Sequence, residues 1–133
     1  MLENKHVGGY ARDFDELEVY QLSMDLACWI YEVTATLPES ERYNLVSQLR
    51  RAATSVSSNI AEGFGRYHYR ENMQYCRMAR GSLSETKSHL MLCMRLKFVD
   101  QTVYDEFIAK YRNLSVKLNN YIKAIGSHIN HKV

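Results

Sequence analysis

The sequence predicts an all-α chain folded as an antiparallel up-down-up-down four-helix bundle, and three observations carry that prediction. First, one proline and six glycines in 133 residues are too few turn formers for a sandwich or barrel. Second, four long stretches place apolar residues three and four apart, the spacing of a helix with one buried face. Third, only three short breaks separate those stretches, so consecutive helices must run antiparallel beside each other. The length suits one domain of about 100–150 residues, and 46% hydrophobic content is ordinary for a globular chain. The expected core spans about residues 14 to 126 of the single 1–133 domain, with 1–13 and 127–133 as flexible ends.

The first helix is expected from about Asp15 to Leu37. Leu17, Tyr20, Met24, Ala27, Ile30, Tyr31 and Leu37 form its apolar stripe, and Thr34 fills the remaining place. There the Thr34 methyl can pack and its hydroxyl can bond back to the preceding turn. Asp13, Asp15 and Glu16 suit the positive end of the helix dipole and can cap free N–H groups. Pro38 ends the helix, because a residue before proline is pushed out of the α region. A second helix begins between Ser40 and Tyr43. Its inner line is Leu45, Leu49, Ala52, Ala53, Val56 and Ile60, interspersed with Ser55, Ser57, Ser58 and Asn59, which let a neighbouring backbone approach closely. Gly63 or Gly65 is expected to close it with φ > 0.

The third helix, about Tyr69 to Lys97, carries a heptad seam. Tyr69, Cys76, Leu83 and Leu90 alternate with Asn72, Ala79, Thr86 and Cys93 at a and d positions. The fourth, about Thr102 to Ile125, presents Val103, Phe107, Tyr111, Leu114, Leu118, Tyr121 and Ile125, with Asp100 or Thr102 as cap and Gly126 as stop. Three cysteines, Cys28, Cys76 and Cys93, are an odd number without a C-x-x-C pair. They fit reduced thiols in a cytoplasmic protein better than a disulfide framework. No uncharged apolar run approaches the ~18 residues of a membrane span, and Met1 to Arg12 lacks the apolar stretch of a signal peptide.

The formal charge of +2 conceals opposed blocks. Met1 to Leu49 holds nine acids against three bases, a net of −6; Arg50 to Lys97 holds nine bases against three acids, a net of +6. On a helical wheel of ~100° per residue, Arg70, Arg77, Arg80, Lys87 and Arg95 fall on one flank of the third helix, beside the seam. Glu71 and Glu85 fall on the other. Arg66 and the aromatics Tyr67, His68 and Tyr69 immediately precede the stripe. Two readings follow. The flank is a solvated edge whose arginines pair with acids of the first helix or of another subunit. Alternatively it is a phosphate-binding surface with aromatics for base stacking, which single-stranded RNA favours.

Polar residues also interrupt apolar lines. Asn59 adjoins Val56 and Ile60, Glu62 follows, and Gly81, Ser82 and Glu85 break the third helix's pattern. Polar groups near a core need hydrogen-bond partners, so Arg50, Arg51, Asn59, Glu62, Ser82 and Glu85 are expected to form a structural network, with Arg50 or Arg51 pairing Glu62 or Glu85. A ligand pocket from the same residues is the other use of such a cluster.

These segments carry a resemblance. Phe14 to Gln21 (FDELEVYQ), Gln48 to Ala53 (QLRRAA), Asn59 to Gly63 (NIAEG) and Ala79 to Glu85 (ARGSLSE) resemble the 23S rRNA intervening-sequence protein family in order and spacing, over roughly Phe14 to Ile125. Tyr20 stands where the family has Trp. The resemblance implies a four-helix bundle assembled into a ring-like homopentamer. It also implies no established enzymatic activity, and an association with RNA or the ribosome: some members are encoded inside 23S rRNA genes, and relatives serve diversity-generating retroelements through a basic surface. The positions carried over are Arg50, Arg51, Asn59, Glu62, Gly63, Gly81, Ser82 and Glu85.

Enzyme chemistry finds little footing. A di-iron bundle needs paired Glu-x-x-His motifs, whereas Glu85 and His89 stand four apart and do not recur. His128-x-x-His131 lies at the chain's end without further ligands. No G-x-S-x-G, P-loop or Cys–His constellation occurs. The expectation is a non-enzymatic homo-oligomeric bundle without metal or cofactor. Arg66, Arg70, Arg77, Arg80 and Lys87 would contact RNA phosphate, with Tyr67 and Tyr69 stacking on bases. The rival is a structural or protein-interaction module whose acidic and basic faces pair between subunits.

Overall fold

The computed structural model describes residues 11–131, and the expectations for 1–10 and 132–133 lie outside the described residues. Four helices, α1 (Glu18–Thr34), α2 (Leu45–Phe64), α3 (Tyr69–Arg95) and α4 (Gln101–His131), account for the fold, with no strand among the described residues. Each helix packs on its neighbours in sequence, α2 on α3 most extensively, and a lighter α1–α4 contact closes the bundle. The core is led by Phe107, Leu26, Ile30, Leu49, Ile60, Leu83, Leu90, Leu114 and Leu118, all fully buried.

Short 3₁₀ turns precede α1 and α2, at Phe14–Glu16 and Glu39–Glu41. Asp13 caps the first by accepting from the Phe14 N–H at 2.7 Å. Thr34 Oγ1 donates to the Ile30 carbonyl at 2.7 Å, as its place in α1 predicts. Of the apolar line expected for the first helix, Leu17, Ala27, Ile30, Thr34 and Leu37 are buried and Tyr20 packs against the core, but two members differ from expectation. Met24 and Tyr31 are 40% and 46% exposed, while Val19, Ser23, Leu26 and Trp29 are buried. Two apolar lines one residue apart compete on this helix. Ser23 disguises the inner one, since its hydroxyl is satisfied by the Tyr20 carbonyl at 2.8 Å.

The inner line of α2 is as expected, and all seven buried residues of α3 (Asn72, Cys76, Ala79, Leu83, Thr86, Leu90 and Cys93) are a or d positions of the heptad. The glycines that end α2 act differently from the prediction. Gly65 has φ −76, so it is not a left-handed cap. Gly63 is buried inside the helix, where a Cβ would lie 2.7 Å from Asn72 Oδ1 and 2.9 Å from Tyr75 Cβ. Its role is close approach of α2 to α3.

A left-handed residue does close α3: Lys97 has φ 66. The Phe98 N–H reaches the Cys93 carbonyl at 2.8 Å and the Lys97 N–H the Met94 carbonyl at 3.0 Å, the paired bonds of a Schellman motif. Asp100 caps α4, accepting from the Val103 N–H at 2.9 Å. Gly126 does not stop that helix, which continues to His131. A glycine ends a helix only if the chain turns left-handed there; here Tyr69 stacks on His128 at 4.9 Å and anchors the extra turn.

Candidate nucleic-acid interface

The basic flank of α3 lies along its junction with α4. Arg80 Nη1 donates to Asn119 Oδ1 of α4 at 3.0 Å, and Lys87 Nζ sits 4.8 Å from the centre of the Tyr111 ring. These contacts hold two cations at the groove edge with their charge uncompensated. Arg70, Arg77 and Arg95, on the same flank, are exposed and have no ion-pair partner among the described residues. Arg70 and Arg77 are one heptad apart, about 10 Å along the helix.

The loop before α3 is arranged less openly. Arg66 Nη2 is bound to Glu62 Oε2 at 3.0 Å and to Tyr75 Oη at 2.6 Å, so its charge already has a counter-ion. Tyr69 is half-buried and engaged with His128. Tyr67 is 91% exposed, its ring meeting His68 edge-on at 4.8 Å. Arg80 and Lys87 thus reach α4, Arg70 and Arg77 are exposed on α3, and Tyr67 is an exposed aromatic in the loop before it.

The expected pairing of Arg50 or Arg51 with Glu62 or Glu85 does not occur. Both arginines share α2 with Glu62, and eleven or twelve residues of helix put them roughly 17 Å apart along the axis. Glu85 stands on α3 at the right height, yet it is exposed and bound to His89 at 3.3 Å. Only part of the network forms. Asn59 Nδ2 donates to the Ser55 carbonyl at 2.9 Å and to Ser55 Oγ at 3.0 Å, and Ser82 Oγ crosses from α3 to Ser55 Oγ at 3.0 Å. Ser55, read from the sequence only as a small residue, is its hub. Arg50 instead turns to α1. Its Nε donates to Thr34 Oγ1 at 2.9 Å, its Nη2 to the Tyr31 carbonyl at 3.3 Å, and its guanidinium lies 4.4 Å from the Tyr31 ring centre.

Among the described residues the acidic and basic blocks form no ion pair with each other. The ion pairs among the described residues are Arg42–Glu39, Arg66–Glu62 and Lys117–Glu18, with His89 beside Glu85 at 3.3 Å, and none joins the two blocks. Burial pushes the Cys76 thiol up to about 12. Burial, with the Glu41 charge adding to it, pushes the Cys93 thiol to about 11. Both are inert neutral thiols rather than nucleophiles. No group of three or more His, Cys, Asp or Glu among the described residues is placed to hold a metal ion, and no described helix is long and apolar enough to cross a membrane.

Comparison with known proteins fits this architecture. The profile of the 23S rRNA-intervening sequence protein matches residues 15–120. The chain belongs to that family. A solved structure from Bacteroides thetaiotaomicron, described as a protein with unknown function from the S23 ribosomal protein family, superposes with a TM-score of 0.73 at 22% identity. The match covers 79% of this chain and 98% of that one. At that identity the likeness shows the fold. No curated protein matches the chain.

Proposed function

We propose that this member of the 23S rRNA-intervening sequence family is a non-enzymatic, cytoplasmic helical bundle that self-associates as a homopentamer and binds RNA through the α3 flank. Arg70 and Arg77 contact phosphate, Arg80 and Lys87 extend the path along α4, and Tyr67 offers a face for an unpaired base. The observation that carries this reading is the exposure of Arg70 and Arg77 without any ion-pair partner among the described residues. Cations spaced along one helix edge match the repeated charge of a nucleic-acid backbone. The family's name, which refers to 23S rRNA, makes rRNA the first ligand to try. Arg66 contributes less than its place in the sequence implies, because Glu62 already neutralises it.

Electrophoretic mobility shift with 23S rRNA fragments tests the reading. The wild type is expected to retard RNA at low salt, and Arg70→Glu/Arg77→Glu to lose most of that binding. Absence of a shift at low salt, or a shift unchanged in the variant, overturns it. Light scattering tests the assembly separately; a monomer at micromolar concentration contradicts the ring. One observation favours a second reading: Asp25 and Glu32 of α1 are exposed without ion-pair partners among the described residues. Were they to meet the α3 arginines of a neighbouring copy, the assembly would dissociate in high salt and RNA would not bind.

A further inference from the structure

We propose that the groove between the C-terminal half of α1 and the N-terminal half of α2 is a second anion site that takes a phosphate group. It lies on the α1–α2 side of the bundle, away from the α3–α4 edge that carries the basic flank. The groove is a shallow cleft of about 400 Å³, open to solvent, lined by Tyr31, Arg42, Tyr43, Ser47, Arg50 and Arg51 among others, with no carboxylate in its wall.

Arg50 is the centre of the argument. It is half-buried, with its Nη2 end at the exposed surface, and a partly desolvated cation gains from an accompanying anion. No anion accompanies it among the described residues. Its fork is nevertheless fixed. Thr34 Oγ1 spends its own proton on the Ile30 carbonyl and so presents a lone pair to Arg50 Nε. The Tyr31 carbonyl takes Nη2, and the Tyr31 ring supports the guanidinium plane. An arginine has five N–H donors; those left over, Nη1 included, have no partner among the described residues. Such preorganisation favours a planar or tetrahedral oxyanion, since the guanidinium loses little further freedom on binding.

Two more cations face the same space. Arg51 Nη2 is steadied by Ser47 Oγ at 3.2 Å. Arg42 lies 5.5 Å from the Tyr43 ring centre, and Glu39 at 3.3 Å partly neutralises it. Arg50 and Arg51, neither in an ion pair among the described residues, together match a phosphate dianion better than a single carboxylate. The phosphate can come from an RNA backbone or from a free mononucleotide.

Isothermal titration calorimetry on the intact assembly at low chloride tests this with inorganic phosphate, uridine monophosphate and a short oligouridylate. One saturable phosphate site per chain is expected. Affinity should fall at least about tenfold in Arg50→Lys, which keeps the charge but loses the fork, and in Arg51→Gln, which leaves the α1 contacts intact. Arg70→Glu/Arg77→Glu should leave the phosphate affinity unchanged, which separates this site from the α3 flank. Tighter binding of the monophosphate than of phosphate identifies a free nucleotide as source; oligomer binding that survives Arg70→Glu/Arg77→Glu and weakens in Arg51→Gln identifies an RNA backbone. Either supports the site. No saturable heat with any of the three overturns it. So does equal affinity in the folded Arg50→Lys and Arg51→Gln variants, or binding of hexaglutamate in preference to all three.

Discussion

Gly63→Ala and Gly81→Ala are the same substitution on adjacent helices, and the structure assigns them opposite signs. Within a helix, alanine is better than glycine by about 1 kcal/mol, so both start with that gain. At Gly81 nothing lies within 4 Å of the added Cβ, and the gain is kept. At Gly63 the Cβ meets Asn72 Oδ1 at 2.7 Å, Tyr75 Cβ at 2.9 Å and the Asn72 carbonyl oxygen at 3.1 Å. Asn72 is 4% exposed and cannot swing aside, and the other two atoms move only if the α3 backbone moves. Relieving the tightest backbone-linked contact requires α2 and α3 to part by roughly half an ångström along their best-packed interface. With three contacts at or below 3.1 Å on a buried interface, overpacking should cost about 2–3 kcal/mol, the upper part of its usual range, so a net loss of about 1–2 kcal/mol is expected for Gly63→Ala. Urea denaturation followed by far-UV circular dichroism, at one protomer concentration, should separate the two variants by about 2–3 kcal/mol. A Gly63→Ala protein as stable as wild type would refute the close-approach argument. A destabilised Gly81→Ala would show that the outer face of α3 is covered in the assembly.

Other outcomes follow from single features. Lys97→Gly should raise stability by about 1 kcal/mol, since a non-glycine residue in the left-handed region costs about 1–2 kcal/mol; thermal denaturation should show a rise of roughly 3–5 °C. In the native protein one thiol per chain, Cys28, should react with a thiol reagent, and all three after denaturation, because Cys76 and Cys93 are buried. Their folded pKa values, about 12 and about 11, exceed the ordinary 9.0. The neutral thiols therefore favour the folded state fully below pH 9, and that advantage shrinks as pH climbs toward 11–12. Stability should fall above pH 9 by about 1.4 kcal/mol per pH unit for each thiol; a flat profile from pH 9 to 11 would contradict their burial.

The bundle was legible because its signals are local and repeated. The α3 heptad names its own buried face, and the inner residues of α2 follow one helical line. Where two apolar lines compete, as at Met24 and Tyr31 against Val19–Ser23–Leu26, periodicity cannot choose between them. The choice depends on which neighbour covers the helix, and that is tertiary information. The same limit explains the glycines. Gly63 carries a stop signal in sequence, but its position is set by the approach of Asn72, and Gly126 is overruled by packing beyond it. The basic flank could be read off α3 because charges at heptad spacing stay on one edge. Arg50 could not: its partners, Thr34 and the Tyr31 carbonyl, are a hydroxyl and a backbone atom on another helix, and charge patterning looks only for carboxylates. Arg66 was legible only in part: the Glu62 four residues earlier sits at the spacing of a helical ion pair, and that pair forms although the helix ends between them.

The salt dependence of RNA affinity tests the central claim most directly, because each phosphate contact releases counter-ions and adds to the slope of log Kobs against log salt, about 0.7 per contact on a single strand. Fluorescence anisotropy with a single-stranded 23S rRNA fragment should give a steep negative slope for the wild type. Arg70→Gln/Arg77→Gln should flatten it by about 1.4 while circular dichroism remains unchanged. Identical slopes for the two proteins, or no binding at 50 mM salt or below, would contradict an RNA-binding α3 flank.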